Sequence, residues 1–522
     1  MFPKHFFILL FSLFFLSNAR AASTTGESSA IVGGEAQANL RANSDASAQS
    51  IEQALPDLGD ASSYAVNSND ERILSEQIKR EIRNDPSYVN DPLLTDYLND
   101  LGRRLANRQT SQNFEFFGVR DTAINAFAMP GGFIGVHTGL IALAESESEL
   151  ASVLGHEMGH VLQKHYARGE EKNNRTWPII AAGIAAGVLA AMAKNPNVDV
   201  VQGMISGSQA LAIDKALTFS RDAEREADRV GFQLLQAGGF NPDAASLFFE
   251  RLQRATSLNQ SSQTSYVRTH PLTSDRIADM QNRARLASAK ISSSASLTFA
   301  LERMRARVLQ ADGPSTLQSL NDTFDALTTN ADTLTVISAW YGKSLISQQM
   351  GNWIDADRSL AQARKLLEKN SKLGQSPELE TTAIELALQQ NQIKQALTLS
   401  EVGIAHFPAS RAMSMVHLRT LIVAGHYQDA IRIAQENNKK QPKELVWWDY
   451  LAQAYAASGQ QTQQHRALAE RFALLTSWGE ALEQLKIARR ISDADFYTLA
   501  EIDARINQVE RIKKESQADA RP

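Results

Sequence analysis

His156-Glu157-Met158-Gly159-His160 is the stretch from which the rest of this chain can be read. In a helix, residues four apart project from one face, so both imidazoles can reach one metal ion while Glu157 stands beside it. Leu150, Val153, Leu154, Val161 and Leu162 give the segment an apolar side, and a helix is expected from about Ser146 to His165. Two histidines leave a zinc site incomplete, because hydrolytic zinc sites use three protein ligands and keep one open position. The 522 residues contain no Cys, so the third ligand must be His, Asp or Glu. A second helix, expected from about Ser220 to Leu235 and stopped by Gly238-Gly239, carries Arg221-Asp222-Ala223-Glu224-Arg225-Glu226-Ala227-Asp228. Glu224 and Asp228 share a face there, while Glu226 points elsewhere. Either of the pair can bind zinc while the other steadies a ligating imidazole. His165, five residues past His160, is expected off the ligand face and at the surface.

Outward from these helices, Phe114–Val119 and Gly132–His137 read as short strands around the turn Met129-Pro130-Gly131-Gly132. Ile73, Ile78 and Ile82, then Leu94, Tyr97, Leu98, Leu101 and Leu105, follow helical spacing upstream. Residues 22–67 have few large apolar side chains to offset ordering entropy and are expected to form a flexible leader. Lys4, the apolar run Phe6–Leu16 and Ala19-Arg20-Ala21 predict a signal peptide over 1–21, too short to span a bilayer. Trp177–Ala193 carries no charge. It reads as a helix in the core or over a cleft, with peripheral membrane contact the competing reading.

Asn391, Gly425 and Gly459 are 34 residues apart, as are Ala396 and Ala430, and Pro408 and Pro442. That period, with these residue types, is the tetratricopeptide (TPR) pattern of paired helices. A less regular copy fits Trp340, Gly351, Ala356, Leu360 and Ala363, and a degenerate one Gly479, Ala481, Leu485 and Ala488. Repeats are expected over 330–500, after a helical connector at 291–329 and before a C-terminal helix or tail at 501–522. Trp447, Trp448 and Tyr450 fit either a binding surface or packing between repeats. A net charge of −5 supplies no global basic field for nucleic acid, and the absence of Cys excludes disulfides, thiolate metal sites and a Cys nucleophile. The expected fold class is mostly α: a helical metallopeptidase domain with a small β-sheet over 68–290, then an α-solenoid of TPR helix pairs.

Further stretches carry a resemblance. Asn125-Ala126-Phe127-Ala128-Met129-Pro130-Gly131-Gly132 precedes a strand, Glu224-x-x-Ala227-Asp228 follows the His-Glu-x-x-His segment, and Thr269-His270-Pro271 precedes Asp275-Arg276-Ile277. Together they resemble the M48 zinc metallopeptidases. The resemblance implies a zincin-type (gluzincin) fold and one Zn2+ per chain on His156, His160 and Glu224. Glu157 would then be the catalytic base, and Asp228 would support a ligand or donate a proton. His270 would be either an oxyanion stabiliser or a fourth zinc ligand that keeps the enzyme latent, roles that exclude one another at any instant. Arg276 is a weaker candidate for positioning substrate or oxyanion, against the alternative of a surface ion pair. Extended substrate is expected to pair with the Phe133–Val136 strand.

A secreted member with TPR repeats implies a periplasmic zinc endopeptidase that degrades misfolded or stalled outer-membrane β-barrel precursors. Its repeats would recruit clients or the β-barrel assembly complex. The rival reading is a chaperone or adaptor for outer-membrane protein assembly whose protease site is latent or silent.

Overall fold

The computed structural model describes residues 68–83, 85–129, 131–165, 221–258, 265–287, 296–329, 331–491 and 494–519. The expected signal peptide and leader over 1–67 and the apolar stretch 177–193 lie outside these residues. Helix α1 (Ser68–Arg83) buries Ile78 and Ile82, and strand β1 (Tyr88–Val89) leads on to α2 (Pro92–Ala106). Asp91 caps α2 by accepting from the Leu94 N–H, and Pro92 occupies the first turn, where no N–H is needed. Leu94, Leu98, Leu101 and Leu105 then form its buried stripe.

Strands β2 (Glu115–Val119), β3 (Ala126–Met129) and β4 (Phe133–His137) complete a sheet of order β1-β2-β4-β3. β2 and β4 run parallel with Phe116 opposite Ile134, and β3 is antiparallel to β4 with Phe127 opposite Gly135. The turn at 129–132 therefore joins β3 to β4, not the two strands expected from the sequence. β3, reading Ala-Phe-Ala-Met, is too short and too poor in β-branched residues to announce itself. β4 lies between two neighbours and is buried at every position, which corrects its expected role as a substrate edge. The edges of the sheet are β1 and β3.

Next come α3 (Thr138–Leu143) and α4 (Glu147–Leu162), the helix of the His-Glu-x-x-His segment. Ser146 caps α4 by accepting from the Glu149 N–H at 3.2 Å, and Glu147 and Glu149 sit in the first turn, where the helix dipole favours negative charge. α5 (Arg221–Ala237) packs along α4 at backbone contact. A Cβ added to Gly159 would lie 2.8 Å from the Ala227 carbonyl oxygen, and one added to Gly231 would lie 2.8 Å from the His156 nitrogen. These small residues are what let α5 bring its carboxylates to the histidines of α4. α6 (Ala244–Leu258), α7 (Ser265–Thr269) and α8 (Ser274–Leu286) close a core around Leu150, Leu154, Val230, Leu234, Phe248 and Tyr266.

Helix α9 (Leu297–Leu309) packs in three directions. Phe299 and Ala306 join the core just described, Leu297 and Leu301 meet Ile337 and Tyr341, and Met304 and Val308 meet Phe324. After α10 (Gly313–Leu327) the helices pair: α11 (Thr333–Gln349) with α12 (Trp353–Lys369), α13 (Pro377–Gln389) with α14 (Ile393–His406), and α15 (Arg411–Val423) with α16 (Tyr427–Lys440). α17 (Leu445–Ala457) pairs with α18 (Gln461–Leu474), and α19 (Trp478–Arg490) with α20 (Phe496–Asp519). In the first four of these pairs the turn is made by Gly351, Asn391, Gly425 and Gly459 at φ of 74°, 57°, 82° and 78°. A left-handed residue ends one helix and lets the next fold back, so the period is carried by Gly or Asn.

Before α19 the left-handed residue is Thr476, and Gly479 lies inside the helix, although Ala481, Leu485 and Ala488 are buried as a repeat requires. Trp447 is buried and donates its Nε1–H to Gln441 Oε1, while Trp448 and Tyr450 pack against the same cluster. Packing accounts for all three. Among the described residues, no helix is long and apolar enough to cross a membrane.

Candidate metal centre

α4 is buried on nearly every side from Ser148 to His160. His156 and His160 face α5 with their Nε2 atoms 3.0 Å apart. Glu224 enters from the first turn of α5, with Oε2 3.4 Å from His156 Nε2 and Oε1 3.4 Å from His160 Nε2. His270, just past α7, places Nδ1 3.0 Å from Glu224 Oε1 and 3.4 Å from His156 Nε2, and its ring stacks on Tyr266. One donor atom from each of the four residues lies within 4.8 Å of the others, and all four residues are buried. Three ring nitrogens converging on one point cannot all direct protons at it. A divalent cation satisfies them together, and a nitrogen and carboxylate set without thiolate suits zinc.

Electrostatics follow from burial and partners. Burial raises the Glu224 carboxyl, but His270, His156 and His160 outweigh it and hold it far below the usual carboxylate range. Glu157 is fully buried, and that burial pushes its carboxyl up, against the pull of His270, His156 and the Ala128 backbone N–H. Its Oε1 lies 3.5 Å from His270 Nε2. Asp228 places Oδ1 2.9 Å from His156 Nδ1, on the ring edge turned away from the shared point. Burial raises Asp228 too, yet hydrogen bonds from Arg276 and His156 hold it at about 2. All six residues predicted from the sequence thus lie around one point.

Two residues stand where the sequence reading did not put them. Arg276 is buried and donates Nε–H to Asp228 Oδ2 at 2.7 Å and Nη2–H to Asp228 Oδ1 at 2.8 Å. Its Nη1 lies 2.7 Å from Glu224 Oε2 and donates to the Pro271 carbonyl at 3.0 Å. It is a brace between the two acids of α5 and the His270 segment, not a surface pair. His165 is also buried. α4 stops at Leu162, Lys164 takes a left-handed φ of 51°, and the chain turns His165 back under the helix end. Its Nδ1 comes 2.9 Å from His160 Nδ1, and its Nε2 3.0 Å from Glu226 Oε2. Five-residue spacing points off the ligand face only while a helix continues, and here it does not.

The peptidase family M48 model matches residues 92–284, a span that includes every residue of this centre. The chain is 30% identical over 467 residues to the beta-barrel assembly-enhancing protease of Escherichia coli (strain K12), covering 88% of this chain and 92% of that one. To the beta-barrel assembly-enhancing protease of Yersinia pestis it is 30% identical over 469 residues, with the same coverage of 88% and 92%. A shorter match, 33% over 159 residues, covers 30% of this chain and 29% of the mitochondrial metalloendopeptidase OMA1 of Arabidopsis thaliana. Because the likeness runs through nearly the whole of both longer chains, this protein belongs to peptidase family M48 and is a zinc metalloendopeptidase.

Proposed function

We propose that this enzyme is periplasmic and cleaves misfolded or stalled outer-membrane β-barrel precursors, with its helix-pair stack recruiting clients or the β-barrel assembly complex. The observation that carries the chemistry is the convergence of His156, His160, Glu224 and His270 beside a buried Glu157. The client class rests on the relatives named beta-barrel assembly-enhancing protease. His156, His160 and Glu224 are the zinc ligands in this reading. When bound there, zinc polarises a peptide carbonyl and makes a water acidic enough to ionise near neutral pH.

The chain's own residues do the rest. Glu157 takes the proton of the attacking water on its carboxylate and delivers it to the leaving amine nitrogen. Asp228, held by Arg276, steadies the His156 ring from 2.9 Å behind its Nδ1. The outer side of β3 orients an extended substrate. Asn125 accepts from the His137 N–H, so antiparallel alternation turns the Ala126 backbone groups and the Ala128 carbonyl away from β4, while the Ala128 N–H serves Glu157. Pairing through backbone tolerates many side chains, which suits unfolded clients.

His270 supports a second reading. Four protein donors meeting at one point leave no open position, which is the geometry of a latent site. In that state the protein acts as an adaptor. Both readings meet one test: cleavage of an unfolded outer-membrane β-barrel precursor by the zinc-loaded protein, Glu157→Gln and His270→Ala. Cleavage is expected from the native chain, faster from His270→Ala, and lost by at least about 100-fold in Glu157→Gln with its zinc retained. Inactivity of all three, His270→Ala included, would favour the adaptor.

A further inference from the structure

We infer that His165 and Glu226 are positioning residues for the metal: His165 sets the tautomer and ring angle of His160, and Glu226 sets those of His165. The inference rests on the reading of His160 as a zinc ligand. His160 turns Nε2 toward His156 and Glu224, so a metal there takes that lone pair and leaves the proton on Nδ1. His160 Nδ1 lies 2.9 Å from His165 Nδ1, which must then be bare and accept. The remaining proton of His165 sits on Nε2, 3.0 Å from Glu226 Oε2, and an ionised carboxylate can only accept. Donation therefore runs one way, from His160 to His165 to Glu226. The reverse assignment would set two N–H groups against each other between the rings.

The two histidines of α4 are served differently by one helix. Asp228 reaches the outer nitrogen of His156 directly, whereas Glu226, two residues earlier on α5, faces another direction and reaches His160 only through a second imidazole. That is possible because the chain turns at Lys164 and returns His165 beneath the end of α4. The His165 side chain is 3% exposed and that of Glu226 17%, so the chain of contacts ends at the protein boundary, where substitution disturbs packing least. A carboxylate behind a ligating imidazole fixes the ring and raises its basicity, and losing such a partner commonly costs about 10- to 100-fold in metal affinity.

The test is the zinc dissociation constant of the full chain, measured by competition with a chelating dye, for His165→Leu, His165→Asn, Glu226→Gln and, as reference, His160→Ala. We expect His165→Leu to weaken zinc by about 10- to 100-fold and Glu226→Gln by about tenfold. His165→Asn should recover most of the loss, since its amide oxygen stands close to the ring Nδ1 position. In nitrogen-15 spectra of the zinc-loaded protein, the His160 Nδ1–H resonance should persist in His165→Asn and be lost to exchange in His165→Leu. Equal affinities in wild type and His165→Leu overturn the inference, as do equal losses in the Leu and Asn variants. If His165→Leu does not fold, an unchanged constant in Glu226→Gln overturns it alone. An unchanged constant in His160→Ala instead overturns the ligand assignment beneath it.

Discussion

Arg276 shows how much a single buried cation can organise. It faces both carboxylates that α5 sends into the centre and also holds the Pro271 carbonyl, so it ties the ligand helix to the His270 segment. Removing one member of a buried charge group leaves the others uncompensated, at about 3–5 kcal/mol. Arg276→Met should therefore lower the stability of the metal-free protein by about that much in urea titration. A loss below about 1 kcal/mol would show that solvent replaces the brace. Glu224 and Asp228 were legible as a pair because helical spacing alone puts them on one face. Arg276 and His165 were not, since no local pattern says which distant side chain either will meet.

At the scale of elements, the centre depends on how closely α4 and α5 approach. Gly159 and Gly231 place backbone against backbone, and any Cβ at Gly159 meets the Ala227 carbonyl at 2.8 Å. Gly159→Val should push the helices apart, costing about 1–3 kcal/mol from overpacking. It should also weaken zinc, because Glu224 would withdraw from His156 and His160. Thermal unfolding and zinc titration of the same variant check both effects, and native zinc affinity would mean that side-chain reach absorbs the shift. The middle residues of His-Glu-x-x-His look like spacers in the sequence. Only the packing shows that Gly159 is needed for its lack of a side chain.

At the scale of the whole molecule, the helix pairs are joined to the metallopeptidase core through charged side chains. Arg305 pairs with Asp91 at 2.7 Å and with the Tyr341 hydroxyl, and Arg411 pairs with Asp96 at 2.9 Å. Cutting the chain near 330 would remove Tyr341 and Arg411 and expose this contact. Glu302 lies among these groups, fully buried, with neither carboxylate oxygen hydrogen-bonded and Arg305 Nε 3.7 Å away. Burial drives its carboxyl well above the usual range, opposed by Arg305 and reinforced by Asp91, Glu378 and Asp96. A carboxyl protonated in the folded chain but ionised in the unfolded one makes stability fall as pH rises. Glu302→Gln should thus gain stability over wild type at pH 8 relative to pH 5. The gap should grow by about 1.4 kcal/mol per pH unit until Glu302 ionises in the folded protein. Urea midpoints at both pH values check this, and an equal difference at the two would contradict it.

The sequence by itself determined the periodic features. The i,i+4 spacing of His156 with His160 and of Glu224 with Asp228, the capping residues, and the 34-residue recurrence of Gly or Asn at left-handed turns are all set by neighbours a few residues away. It missed β3 as a strand and misjudged which strand forms the edge, because strand order depends on partners far along the chain. Tertiary structure also decided that His165 and Glu226 lie behind His160 and that Arg276 braces two acids. These contacts follow from where α4 ends and how near α5 lies, and long-range packing decides both.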